Sequence, residues 1–314
     1  VPPVPGDDRP SSPSLAALPD PVRRKAIAVG AEAWLDELPT RLAQLAGRWG
    51  LVIGSPFPDA TEGFVAPVDL EGGGRAVLKV VVPRAGGAAQ REATVLRQAQ
   101  GEGCARLLRH DEALGALLVE RLGPSLRDLD LPLGRRLEVL ADAATALWRP
   151  VPAGLALPSG AERAGEIAAG IVERWDRLGR PCSEAAVAHA LACAERRVAA
   201  HDDERAVLVH GDVHQWNALQ ADDGFKLVDP DGVRAEPECD LGVLLREDPV
   251  ELLQGDPFDR ARVLAARTGL DATAIWEWGV LERVSTGLVC EEVGLQPFGR
   301  QMLHAADVIA ATAR

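Results

Sequence analysis

The period of the apolar positions changes along this 314-residue chain, and the change divides it into two regions. Over residues 22–50, Ala33, Trp34, Leu38, Leu42, Leu45, Ala46 and Trp49 recur at helical spacing. Pro39 marks a break there, or the first turn of a second helix. Shorter runs follow. Val52-Ile53 precedes a turn-rich stretch over residues 54–63, and residues 64–70 and 75–82 flank Gly72-Gly73-Gly74, the pattern of an antiparallel hairpin. Residues 88–100 read as a helix, Leu107-Leu108 leads to Asp111, and residues 116–123 read as a strand running into Gly123.

From residue 124 the helical period takes over. Residues 133–148, 161–178, 183–200 and 259–313 read as helices, interrupted at Gly179-Arg180-Pro181 and near Leu295-Gln296-Pro297. Two short strands, 206–209 and 225–228, interrupt this region. The pattern predicts an α+β chain with a small sheet-bearing lobe and a larger helical one. The expected divisions are a mobile proline- and serine-rich tail over 1–21, an N-terminal lobe over 22–121 and a C-terminal lobe over 122–314.

Composition narrows the function classes. At 47% apolar residues the chain can bury a substantial core. The net charge of −13, with no concentrated basic stretch, argues against a nucleic-acid partner. It suits solubility and would favour a cationic substrate. Five cysteines, with no CxxC pair, support neither a zinc ribbon nor a disulfide framework. Reduced thiols in a cytoplasm are the expectation. No apolar run has membrane-spanning length, so no membrane association is expected.

The chemistry concentrates in Val209-His210-Gly211-Asp212-Val213-His214-Gln215-Trp216-Asn217. An apolar strand delivers His-Gly-Asp, and an asparagine follows the aspartate by five positions. A second strand, Phe225-Lys226-Leu227-Val228, delivers Asp229. Two carboxylates and an amide oxygen at strand ends are what phosphoryl transfer from ATP needs: one carboxylate for the attacking hydroxyl, two oxygen donors for Mg²⁺. His210-x-Asp212-x-His214 is also the shape of a zinc triplet. That reading leaves Asn217 and Asp229 idle, and His110, His189, His201 and His304 stand in no ligand spacing. His210 and His214 then read as structural, bonding loop backbone.

The Asp-x-x-x-x-Asn spacing matches the catalytic loop of protein kinases. With His-Gly-Asp before it, the loop resembles that of the aminoglycoside phosphotransferase family. Val228-Asp229-Pro230 and Asp240-Leu241 are similar to its streptomycin and hydroxyurea phosphotransferase branch. The resemblance implies a protein-kinase-like bilobal fold, ATP and Mg²⁺ as cofactors, and a small-molecule acceptor, most simply an aminoglycoside- or aminocyclitol-type antibiotic. A metabolic sugar, amino-sugar or amino-alcohol kinase, or a non-catalytic nucleotide-binding regulator, are the alternatives.

By the same resemblance Asp212 is the catalytic carboxylate, and Asn217 and Asp229 bind magnesium. Lys79 holds the ATP phosphates and Glu92 pairs with it. Backbone groups of Glu120 and Leu122 face adenine. His210 and Asp240 support the loop. Glu282, Glu291 and Glu292 fall where the family's acceptor-side acids lie, although Val289-Cys290-Glu291-Glu292-Val293 carries fewer acids than streptomycin kinases do. Asp231 stands two residues past Asp229, placed either to touch a second metal or to shape the turn before Gly232. No Gly-x-Gly-x-x-Gly is present, and residues 54–63 carry glycine only at their ends.

Overall fold

A computed structural model describes residues 18–84 and 86–312. The chain divides into two compact units, one holding residues up to Gly101 with Ala105–Leu122, the other Glu102–Cys104 with everything from Gly123 on.

The first unit opens with α1 (Asp20–Ala28) and α2 (Glu32–Trp49), then β1 (Leu51–Ile53), β2 (Gly63–Leu70) and β3 (Arg75–Val81). It closes with α3 (Ala88–Ala99), β4 (Leu107–Asp111) and β5 (Ala116–Glu120). The five strands form one sheet in the order β1-β2-β3-β5-β4. Alternation along β3 separates two faces. Ala76, Leu78 and Val80 are fully buried in the cluster that holds Leu18, Val22, Trp34, Leu38, Leu42 and Leu45. Lys79 points to the other face, where α3 packs.

Two expectations are corrected here. Pro39 lies inside α2 without ending it. The buried stripe of Trp34, Leu38, Leu42 and Leu45 outweighs the lost backbone hydrogen bond, a cost of ~3 kcal/mol. The ordered chain also reaches into the segment expected as a tail: α1 begins at Asp20 and Leu18 is buried. Residues 1–17 of that expected tail lie outside the described residues.

The second unit begins with a single 3₁₀ turn, Leu126–Leu129, and then α4 (Leu133–Leu147), α5 (Gly160–Arg177) and α6 (Glu184–Ala200). Four short strands follow: β6 (Val207–Val209), β7 (Ala218–Ala221), β8 (Gly224–Leu227) and β9 (Val233–Ala235). Five helices end the chain: α7 (Glu238–Arg246), α8 (Pro249–Leu252), α9 (Asp259–Thr268), α10 (Ala272–Val293) and α11 (Phe298–Thr312). The two strands read from the sequence do not pair with each other. β6 pairs with β9 and β7 with β8, both antiparallel. Both partners, β7 and β9, are too short to show a period.

α10 is the central helix, packed against α5, α6, α7 and α11. Buried apolar residues run along most of it, including Ile275, Trp278, Leu281, Val284 and Leu288. Its closest neighbour is α7. A Cβ on Gly242 would collide with the Trp278 Cβ, and one on Gly279 would lie 2.5 Å from a Leu245 methyl. Only glycines let these two helices approach so closely. All five cysteines are free and buried, and no helix among the described residues is long and apolar enough to cross a membrane.

Candidate active site

The loop between β6 and β7 carries the His-Gly-Asp segment, and its shape is held from inside the protein. His210 is fully buried. Its Nδ1 accepts the Asp212 amide at 3.2 Å and its Nε2 lies 2.9 Å from the Val228 carbonyl, a pattern that places a ring proton on Nε2. Its own carbonyl accepts the Gly232 amide at 3.1 Å. Asp240, on the first turn of α7, accepts the amides of His210 at 2.9 Å and Gly211 at 2.7 Å. The Trp148 indole also donates to it, at 2.9 Å. Burial pushes the Asp240 carboxyl up, against the opposing pull of these amide and indole donors.

Gly211 has φ +87°, and a Cβ there would lie 3.1 Å from the Asp231 Cβ. This left-handed residue turns the chain so that Asp212 leaves the core. The Asp212 side chain is 34% exposed, accessible enough to meet a substrate. Arg246 Nη2 donates to Oδ1 at 2.5 Å. His214 Nε2 lies 3.2 Å from Oδ2 and Asn217 Nδ2 3.4 Å from it. The His214 Nδ1 accepts the Trp216 amide at 3.3 Å, so Nε2 carries the proton toward Asp212. Burial alone would raise the Asp212 carboxyl. Arg246 and His214 outweigh it and hold the group well below the usual carboxylate range.

Asn217 Nδ2 also donates to the Asp212 carbonyl at 3.1 Å, so the amide oxygen Oδ1 faces away from Asp212. The Val228 amide donates to the Asn217 carbonyl at 2.8 Å, which ties the loop to the end of β8. Asp229 follows one residue on, exposed and at φ 58°, a conformation that costs a non-glycine residue ~1 kcal/mol or more. An amide oxygen and a carboxylate form an oxygen-only donor set, which suits Mg²⁺ better than zinc.

In the first unit, Lys79 Nζ lies 2.8 Å from Glu92 Oε2, and both side chains are buried. The Glu120 amide donates to the Arg106 carbonyl at 2.9 Å, so it is already engaged. The loop joining β1 to β2 holds the stretch with glycine only at its ends.

The three acids expected on the acceptor side are not brought together. Glu282 is buried in the middle of α10, with Oε2 3.2 Å from Arg246 and Oε1 3.7 Å from Arg163. Glu292 pairs with Arg174 at 3.1 Å and with Arg177, and Glu291 lies 3.9 Å from Arg300. Glu291 is nine residues beyond Glu282, about 13 Å along the helix. Asp231, left from the sequence between a second metal and the turn before Gly232, meets Arg163 at 3.3 Å. Arg163 also donates to the Gly211 carbonyl at 3.3 Å.

Sequence reasoning missed Arg246 and Arg163, and it gave His214 only a backbone role. One signal was available. Arg246 closes the apolar run Leu241-Gly242-Val243-Leu244-Leu245, where a charge needs a buried partner.

Residues 48–294 match the family described as aminoglycoside/hydroxyurea antibiotic resistance kinase. Over 220 residues the chain is 32% identical to the hydroxyurea phosphotransferase of Kitasatospora aureofaciens, a span of 66% of this chain and 61% of that relative. Over 243 residues it is 30% identical to the streptomycin 6-kinase of Streptomyces glaucescens, covering 74% and 75%. Among solved structures, a thermostable aminoglycoside phosphotransferase APH(4)-Ia in a ternary complex with ADP and hygromycin B superposes with a TM-score of 0.59. That match has 18% identity and covers 86% of this chain and 97% of the other. The choline kinase LicA of Streptococcus pneumoniae gives a TM-score of 0.56 at 12% identity, over 86% and 97%. The α+β, protein-kinase-like fold is thus shared with both.

Proposed function

The chain belongs to the aminoglycoside/hydroxyurea antibiotic resistance kinase family, and on that premise we propose that it transfers the γ-phosphoryl group of ATP to a hydroxyl of a small-molecule antibiotic. The observation that carries the reading is the Asp212–Asn217 pair. A partly exposed, ionised carboxylate is bonded to an amide whose oxygen is turned away from it, where it would be open to a cation.

Asp212 orients the acceptor hydroxyl and takes its proton as the oxygen attacks phosphorus. Lys79, held by Glu92, neutralises phosphate charge, and backbone groups of Glu120 and Leu122 bond adenine. Asn217 and Asp229 would hold Mg²⁺, which when bound offsets the charge of the phosphate oxygens. Asp240 and His210 keep the loop in shape. Most of the rate comes from positioning and charge.

A second reading, a metabolic kinase acting on a sugar, is favoured by one observation. Glu282 and Glu292 are each claimed by arginines of this chain, which weakens the case for a polycationic acceptor held by them. The test is acceptor-dependent ADP release by the purified chain, against streptomycin, other aminoglycosides, hydroxyurea and a sugar panel. Turnover with an antibiotic, absent in Asp212→Ala, supports the first reading. Turnover with sugars alone, with no gain of tolerance in a sensitive host, overturns it.

A further inference from the structure

Buried Arg246, half-buried Arg163 and buried Glu282 form a ladder beneath the loop. Arg246 reaches Asp212 Oδ1 at 2.5 Å with one nitrogen, and with the other it reaches Glu282 Oε2 at 3.2 Å and Thr286 Oγ1 at 3.1 Å. On the far side of Glu282 stands Arg163, which also meets Asp231 and the Gly211 carbonyl. We propose that Arg246 is the positioning residue for the catalytic carboxylate, and that Glu282 is the buried counter-charge that keeps Arg246 aimed at it. The inference rests on the phosphotransferase reading of Asp212.

Three observations support it. First, α7 holds the loop at both of its ends. Asp240, on its first turn, takes the backbone amides of His210 and Gly211, while Arg246, its last residue, grips the carboxylate of Asp212. Backbone and side chain of the loop are thus referred to one rigid element, as precise positioning requires.

Second, Arg246 stands where it does because Gly242 and Gly279 let α7 and α10 approach. That approach sets Glu282 against the guanidinium. Without it, Arg246 and Glu282 would each be a buried charge lacking one of its partners, a costly state.

Third, the guanidinium is specific in shape. Its planar fork serves Asp212 on one nitrogen and Glu282 on the other, which an ammonium on a flexible stem cannot reproduce. The Arg246 Nε remains buried without a hydrogen-bond partner. An arginine kept only for packing would have no reason to bear that cost, which an aliphatic side chain avoids. Arg246 thereby commits Oδ1 of Asp212, while His214 and Asn217 hold Oδ2 from the other side. The carboxylate cannot rotate, and Oδ2 keeps a fixed direction toward an incoming hydroxyl.

The test uses the full chain and an acceptor found by ADP release. Arg246→Met is expected to lower kcat about 10²-fold, the typical scale for a misplaced catalytic group, while KM for ATP stays within about threefold. Arg246→Lys should fall between the two. Guanidinium ion should restore activity about tenfold or more in Arg246→Ala and leave wild type unaffected. Glu282→Gln should lower kcat in the same sense by a smaller factor. In thermal unfolding, the shifts of Arg246→Met and Asp212→Asn should be non-additive in the double variant.

The proposal is overturned if Arg246→Met equals or exceeds wild type in kcat, because the guanidinium would then block the site. It is also overturned if guanidinium gives no rescue and the melting shifts add, which would mark Arg246 as packing alone. A wild-type chain with no transfer to any acceptor would sink the functional reading. The unfolding cycle reads the Arg246–Asp212 contact independently of that result.

Discussion

Lys79 Nζ and Glu92 Oε2 are 2.8 Å apart on the face of the sheet opposite the α1–α2 core, with side chains only 6% and 9% exposed. Each ion of such a pair depends on the other. Glu92→Gln is expected to destabilise the chain by roughly 3–5 kcal/mol, since it strands a buried ammonium. Replacing both, as Lys79→Met with Glu92→Leu, should recover most of that loss while abolishing phosphoryl transfer. Chemical denaturation of the two variants measures it. Equal destabilisation in both would show that the pair does not act as a unit.

Gly211 sets the direction of Asp212. Its φ of +87° and the nearby Asp231 and Val233 side chains leave little room for a Cβ. Gly211→Ala should cost ~1–2 kcal/mol from backbone conformation. It should lower kcat far more than that stability loss explains, by about 10²-fold, because Asp212 is displaced. Steady-state kinetics beside a melting curve separate the two effects, and an active Gly211→Ala enzyme would contradict this account.

Asp240 accepts three hydrogen bonds while fully buried. Asp240→Asn turns one acceptor oxygen into a donor facing another donor. The expected loss is about 2–3 kcal/mol of stability, with increased amide exchange at His210 and Gly211. Hydrogen exchange resolved at these two amides reads the outcome directly. Unchanged protection there would remove Asp240 from its supporting role.

Glu62 links Lys25 of α1, at 2.8 Å, to Arg84 beyond β3. Burial alone would raise its carboxyl, but Lys25 and Arg84 outweigh burial and hold it below its ordinary 4.5. A depressed carboxyl contributes stability that is complete above the unfolded value and lost as pH falls through the folded value. Glu62→Gln should therefore cost ~0.5–1 kcal/mol at pH 7, in keeping with a partly exposed pair. The gap to wild type should close as pH drops below about 4.5. A gap that persists in acid would assign the loss to packing.

Much of the site is legible in the sequence because its parts are local. The strand into His210, the five-residue step from Asp212 to Asn217 and the Asp229 that follows β8 lie within a few residues of one another. The hydrogen bonds that join Asn217 to Asp212 span that same short distance. The helical stripe of α2 and the alternation of β3 are equally plain, since period follows from backbone geometry. Pro39 misleads because its cost is local while the burial that outweighs it is spread over the helix.

The remainder depends on which elements meet. Glu282 reads from the sequence as an acid available to a cationic acceptor, yet Arg246 and Arg163 claim it across 36 and 119 positions of chain. The pairing of β6 with β9, and the closeness of α7 to α10 at Gly242 and Gly279, follow from packing between segments whose own patterns are too short or too uniformly apolar to announce it. The sequence alone determined that a carboxylate and an amide would share one loop. Only the tertiary structure decided which arginine holds that carboxylate, because the partner of a buried charge is selected by the fold around it.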